Sequence, residues 1–253
     1  MKRSWQLTRL FLSLFLSGLR VLTGMTVRRW MKKGSEEPYL LTEAAVWARQ
    51  AVAIGGARVQ VTGLEHIPED RAVLYVANHQ GTLDIPILMG YLPGTPAFVA
   101  KKELFTIPVL GFWMRRIGCI SLDRESPRAA LKSMKGAAKE IRTGRRITLF
   151  PEGTRSRHPE GQIAPFKRGS LKLATMAGAV VVPVTVEGSR FLLNSSGAKG
   201  FDGQVKVVVG EAIEVADLDA DGLKELPEAV YRVIDDTRVA IHMGGNDDGE
   251  SVF

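Results

Sequence analysis

Val73-Leu74-Tyr75-Val76-Ala77-Asn78-His79-Gln80-Gly81-Thr82-Leu83-Asp84 is the stretch on which the reading of this chain turns. Its first five residues form an uninterrupted apolar run, the mark of a strand buried on both faces of a parallel sheet. The run ends in a polar segment carrying an imidazole and, five residues later, a carboxylate. On a regular helix that separation would turn the two side chains about 140° apart. They meet only if the chain turns between them, which Gly81 and Thr82 permit, with Thr82 as the expected N-cap of a helix. Asp84 then falls in the first helical turn, where the helix dipole favours the ionised carboxylate. A carboxylate so placed can hold one imidazole nitrogen and leave the other free as a base.

Working outward, residues 57–62, 96–100, 119–122, 147–150, 180–186 and 205–209 read as further short strands. Residues 41–54 and 127–143 read as helices, the second with Leu131, Met134, Ala138 and Ile141 on its apolar face. Strands alternating with helices predict an α/β fold: a mainly parallel mixed sheet flanked by helices. Ligands of such sheets bind beyond the carboxyl ends of the strands, where the His79–Asp84 segment lies. The expected organisation is an N-terminal helical, membrane-associating segment (1–56), an α/β domain (57–243) and a disordered acidic tail (244–253), polar and Gly-rich at its start.

The formal net charge of +7 is local. Eight of the 34 basic residues and none of the 27 acidic ones fall in residues 1–33, so the rest of the chain is close to neutral. Within that segment Arg9 and Arg20 bracket the apolar block Leu10 to Leu19, too short for the roughly 20 residues of a bilayer span. Basic flanks around a short apolar helix suit an element lying in an anionic membrane surface. A single short span, a signal peptide or a packed helix are the alternatives, though basic residues follow in place of a small-residue cleavage site. Nucleic acid is not an expected partner, because the charge lacks an interleaved aromatic platform.

The other histidines, His66, His158 and His242, have no setting like that of His79, and none is spaced for zinc with another His or with Cys119. No GxSxG nucleophile elbow occurs, and Cys119, the single cysteine, falls in an apolar strand. A base acting on a hydroxyl brought by the substrate is therefore expected, with no metal. Phe150-Pro151-Glu152-Gly153-Thr154-Arg155-Ser156-Arg157 also follows a strand, and its turn amides and Arg155 suit a phosphate or an oxyanion. Lys101 and Arg124 sit at strand ends and could converge on an anion. Between them Leu104, Phe105, Ile107, Val109, Leu110, Phe112 and Trp113 could line an acyl channel or simply pack a core. The polar face of the 127–143 helix carries Arg128, Lys132, Lys135, Lys139 and Arg142, read as a solvated face.

Taken in order, the blocks Asn78-His79 to Asp84, Lys101-x-Glu103-Leu104 to Arg124, Phe150 to Ser156 and Val181-Val182-Pro183-Val184 resemble the lysophosphatidic acid acyltransferase family and its glycerolipid relatives. The resemblance covers roughly residues 59–190. It implies His79 as general base, Asp84 as its orienter, and Lys101, Arg124 and Arg155 as candidates for the acceptor's phosphate. It further implies that Glu152, Gly153 and Thr154 shape the acceptor site, that Pro183 is mainly structural, and that the N-terminus matches the family's membrane-associated helices. The implied reaction moves a fatty acyl group from acyl-CoA or acyl carrier protein, as co-substrate, to lysophosphatidic acid, at the cytoplasmic face of the cell membrane. Other acceptors remain open at this point: glycerol-3-phosphate, another lysophospholipid, or a lyso-ornithine lipid. So do a hydrolase and a non-catalytic peripheral membrane-binding protein.

Overall fold

The computed structural model describes residues 2–30, 36–123, 126–156, 162–167, 169–193 and 201–247. Among them one sheet is formed by β1 (Arg58–Thr62), β2 (Val73–Ala77), β3 (Ala97–Lys101), β4 (Ile120–Leu122), β5 (Ile147–Leu149), β6 (Val180–Glu187) and β7 (Gln204–Val209), in the order β1-β7-β6-β2-β5-β3-β4. The pairs from β6 through β2, β5 and β3 to β4 are parallel, as is β1 with β7. β6 and β7 run antiparallel. This is the mainly parallel mixed sheet the alternation predicts. Because β6, β2, β5, β3 and β4 share one direction, the segments that follow them emerge at a single edge.

The strands alternate side chains between two cores. Tyr75, Phe98, Val182 and Val184 face one side and pack with Val21, Ala48, Ile87 and Trp113 of α1 (Lys2–Trp30), α2 (Glu36–Ile54), α3 (Asp84–Tyr91) and α4 (Leu110–Arg116). Leu74, Val76, Ile147 and Val181 face the other and pack with Ile141, Ala174 and Ile234 of α5 (Pro127–Arg142), α6 (Lys172–Ala177) and α7 (Ala220–Asp247). β2 is fully buried along its length, as a strand covered on both faces must be. Pro183 sits in β6 opposite Val76, with its carbonyl accepting from Gly210 N–H at 2.9 Å.

The boundary expected at residue 56 does not separate two cores. Leu14, Val21 and Met25 of α1 and Ala44, Ala48 and Val52 of α2 are buried in the same cluster as the sheet. The Trp113 indole donates to Leu14 O at 3.3 Å and the Trp47 indole to Ser13 Oγ at 3.3 Å, fastening α1 to the body. Arg20, the charge that interrupts the apolar block, is paired with Glu43 of α2. The opposite side of α1 is apolar and open: Trp5, Phe11, Leu12, Phe15, Leu16, Leu19 and Leu22 are 44–65% exposed.

Two further expectations are corrected. Leu131 is solvent-facing, and Ala137, Ala138 and Ile141 carry the buried face of α5. The segment expected to be disordered from Gly244 is helical through Asp247, as the end of α7, whose Leu226, Val230 and Ile234 recur every four residues against the sheet. That spacing is a helical signal the sequence reading passed over. The rest of the tail lies outside the described residues.

Candidate active site

The segment after β2 closes on its own carboxylate. Asp84 is wholly buried, and its Oδ2 accepts from His79 Nδ1 at 2.7 Å, Gln80 N–H at 2.7 Å and Gly81 N–H at 2.8 Å. Its Oδ1 accepts from the Ser189 hydroxyl. An ionised carboxylate only accepts, so the imidazole must donate from Nδ1, which leaves Nε2 as the basic nitrogen. The His79 side chain is 14% exposed, and its ring lies on Phe150 with centroids 4.3 Å apart and planes 19° from parallel. A hydrogen bond at one edge and a stacked ring on one face fix both tilt and rotation of the imidazole.

Thr82 is not the helix cap expected of it. Leu83 occupies that position, while Thr82 Oγ1 accepts from Arg155 Nη1 at 2.9 Å. Asp84 instead captures the N–H groups of Gln80 and Gly81 in the turn before the helix. Gly81 is required by packing rather than by backbone angle: a Cβ there would stand 2.8 Å from Ser189 O.

The segment after β5 is laced to this one. Glu152, 2% exposed, accepts from His79 N–H at 2.6 Å through one oxygen and from Ala164 N–H at 2.9 Å through the other. Ser156 N–H donates to His79 O at 2.7 Å. Glu152 thus shapes the site by tying loops together, since both its oxygens are taken by backbone. Burial raises its pKa from 4.5 to about 6, against the two backbone hydrogen bonds that favour the ionised form. Gly153 has φ +71, a backbone conformation that favours glycine, and the end of the flexible Lys167 side chain lies over it. Thr154 and Arg155 are exposed on the same turn.

Lys101 ends β3 exposed, with its Nζ 3.3 Å from Glu103. Arg124, expected to converge with it, lies outside the described residues. Burial pushes the Cys119 thiol up to about 12, which leaves it inert as a nucleophile. Three participants escaped the sequence reading. Ser189 follows β6 and reaches Asp84 from 105 residues away. Lys167 stands over Gly153. Phe150, directly after β5, stacks on the His79 ring. Strand-end position at β5 and β6 was the available signal for two of them.

Apolar pockets flank this edge on both faces of the sheet. On the α1–α4 side, a cavity of about 110 Å³ is lined by Ile85, Met89, Phe98, Leu104, Leu110 and Trp113 among others. Of the proposed acyl-channel residues, Leu104, Leu110 and Trp113 therefore line it, while Phe105, Val109 and Phe112 do not and Ile107 is exposed. Phe98 stacks on Phe150 at 6.0 Å, so a ladder of rings leads from this cavity to His79. On the α5–α6 side, a pocket of about 320 Å³ runs along β3, β4 and β5 to Phe150, Gly153 and Lys167.

A buried carboxylate holding an imidazole at the carboxyl edge of a mainly parallel sheet marks an α/β protein whose imidazole has one nitrogen free to accept a proton. The chain belongs to the Acyltransferase family, whose sequence pattern matches residues 58–187. It is 32% identical over 198 residues to the 1-acyl-sn-glycerol-3-phosphate acyltransferase of Pseudomonas aeruginosa, covering 78% of this chain and 74% of that relative. A chloroplastic 1-acyl-sn-glycerol-3-phosphate acyltransferase of Brassica napus is 35% identical over 159 residues, 62% of this chain. The match spans 45% of that longer relative. Among solved structures, the 1-acyl-sn-glycerophosphate acyltransferase PlsC of Thermotoga maritima superposes with a TM-score of 0.76 at 27% identity, over 96% of this chain and 98% of its own.

The raised pKa of Glu152 has a consequence for stability. A carboxyl with a higher pKa in the folded state binds more protons folded than unfolded. Its contribution is therefore full below 4.5 and lost as pH rises through about 6. The unfolding free energy is expected to contain a component that falls by up to roughly 2 kcal/mol across that window. Urea denaturation at a series of pH values measures it, and Glu152→Gln is expected to remove it. Equal pH slopes in the two proteins would contradict this assignment.

Proposed function

We propose that this protein transfers a fatty acyl group from an acyl thioester, either acyl-CoA or acyl carrier protein, to the free hydroxyl of lysophosphatidic acid, yielding phosphatidic acid. The observation that carries the reading is the His79 ring, pinned at Nδ1 by Asp84 at 2.7 Å and stacked on Phe150, a residue that borders the α5–α6 pocket. The acceptor is supported by the activity for which the relatives at 32–35% identity are named.

In this mechanism Nε2 of His79 takes the hydroxyl proton as the acceptor oxygen bonds to the thioester carbonyl carbon. General-base assistance of this kind is worth roughly 10²–10⁴-fold. Collapse of the tetrahedral intermediate breaks the C–S bond, and the departing thiolate recovers the proton from the imidazolium. A thiol of pKa near 8.5 leaves without a strong acid, so one imidazole serves both steps and no metal or further cofactor is needed. The Asp84 carboxylate stabilises the imidazolium while it exists. In this reading Arg155, which donates to Thr82 in the His79 loop, meets the acceptor's phosphate, and Lys101 at the same edge is a second cation for it.

The exposed apolar side of α1 is the membrane contact in this reading. The segment Trp5–Thr26 is long enough to cross a bilayer. Its inner side is packed on the protein, and Arg20, two thirds of the way along it, is neutralised by Glu43, which favours a helix sunk partway into the cytoplasmic leaflet. Basic residues of the N-terminal segment add attraction to anionic headgroups.

With purified protein, an acyl thioester and lysophosphatidic acid, wild type is expected to form phosphatidic acid. His79→Ala is expected to lower turnover by at least about 10²-fold with an unchanged circular dichroism spectrum. Asp84→Asn is expected to reduce kcat far more than it raises KM. Free fatty acid release without acceptor, or near-normal turnover by His79→Ala, would contradict the reading. For the membrane contact, the triple substitution Phe11→Ser, Phe15→Ser, Leu19→Ser is expected to release the protein from anionic vesicles in a sedimentation assay. Unchanged partitioning would place the contact elsewhere.

A further inference from the structure

The outer face of α5 carries charge of one sign and has no role in the reaction as described. Arg128, Lys132, Lys135, Lys139 and Arg142 recur every three or four residues, and all are exposed. They form a stripe about 21 Å long, at a rise of about 1.5 Å per residue. Glu140 is the one acidic residue of the helix, and it is paired with Arg145. Arg142 donates to Met176 O, and among the described residues no carboxylate pairs with the other four cations. A helix face that merely meets water interleaves both signs, because like charges three or four residues apart destabilise the helix. Arg128 also stands in the first turn, where the helix dipole disfavours a cation. Outside the N-terminal segment the chain is close to neutral, so the stripe is a local concentration of charge. Repulsion retained along a whole helix points to an anionic partner.

We propose that α5 is the docking face for an acidic carrier protein that bears the acyl thioester. The inference rests on the acyl-transfer reading given above, and adds in which form the donor arrives and where it lands. Three observations select this occupant. First, α5 follows β4, so its first turn stands at the same edge of the sheet as His79, and a partner lying along the stripe has one end there. Second, α5 belongs to the helical layer on the opposite side of the sheet from α1. A flat bilayer that holds the apolar side of α1 therefore does not also cover the stripe. Third, the stripe lies on the outside of a helix, with an open depression of about 550 Å³ where Arg128, Lys132 and Lys135 surround Leu131, itself 48% exposed. A small ligand such as the nucleotide of coenzyme A is held in a cleft that encloses most of it. A protein surface with carboxylates at helical spacing, and an apolar side chain to meet Leu131, matches an outward face of this kind.

The test compares donors. With lysophosphatidic acid as acceptor, palmitoyl-CoA and a palmitoylated acyl carrier protein are supplied in turn to wild type and to the triple variant Lys132→Glu, Lys135→Glu, Lys139→Glu. All three side chains are exposed, and the circular dichroism spectrum is expected to stay as in wild type. In the variant kcat/KM for the carrier-protein donor is expected to fall at least about tenfold, because attraction becomes repulsion. The value for palmitoyl-CoA is expected to change by less than about twofold. Docking is read without turnover by zero-length carbodiimide coupling of the two purified proteins, with cross-links from carrier carboxylates expected at Lys132, Lys135 or Lys139. Equal losses with both donors, turnover with palmitoyl-CoA alone, or cross-links confined to other lysines overturns the proposal. Loss of the variant from sedimented anionic vesicles assigns the stripe to the membrane and overturns it as well. Cross-links at these lysines without transfer from either donor support the docking face and count against the functional reading. Transfer from both donors, indifferent to the triple substitution, counts against the docking face alone.

Discussion

A single carboxylate, that of Asp84, organises the working edge of this molecule. It is fully buried, and a buried charge is tolerated only when its oxygens are met by donors. Here four donors meet it: an imidazole N–H, two backbone N–H groups and a hydroxyl. Satisfying that charge fixes the turn after β2, the start of α3 and the loop after β6 in one arrangement. The imidazole orientation is a by-product of the same requirement. Glu152 repeats the device on the other side of His79, taking its backbone N–H and that of Ala164. His79 is thus held at ring, face and backbone.

The parallel sheet makes this possible at small cost in chain length. Segments following β2, β5 and β6 are far apart in sequence, yet they emerge side by side because their strands share direction and register. The two helical layers that cover the sheet leave an apolar cavity on each face near that edge. One of these layers also carries α1, whose outer side is apolar and exposed while its inner side is part of the protein core.

Much of this was legible in the amino-acid sequence because it is encoded locally. The apolar run at Val73–Ala77 marks β2 to the residue, and the imidazole and carboxylate after it are close enough in sequence for a turn to join them. What escaped was encoded at long range or by shape. Ser189 is an ordinary serine after a glycine until β6 sets it against Asp84. Glu152 reads as a charge in a turn, and only the folded chain shows both oxygens facing backbone. Arg20 looks misplaced in an apolar block until Glu43 of α2 is found beside it. Leu131 fits the period of a buried face, yet α5 meets the sheet through Ala137, Ala138 and Ile141 and leaves Leu131 outside.

The central claim is that Asp84 holds the proton on Nδ1 of His79 and so reserves Nε2 for the acceptor. Nitrogen-15 shifts of the His79 ring report this directly in a buffer of about pH 8, above the ordinary range of imidazole titration. The account requires a protonated Nδ1 and an unprotonated Nε2 in the wild type, and loss of that single tautomer in Asp84→Asn. A ring protonated at Nε2 in the wild type, or a tautomer ratio indifferent to Asp84, would contradict it.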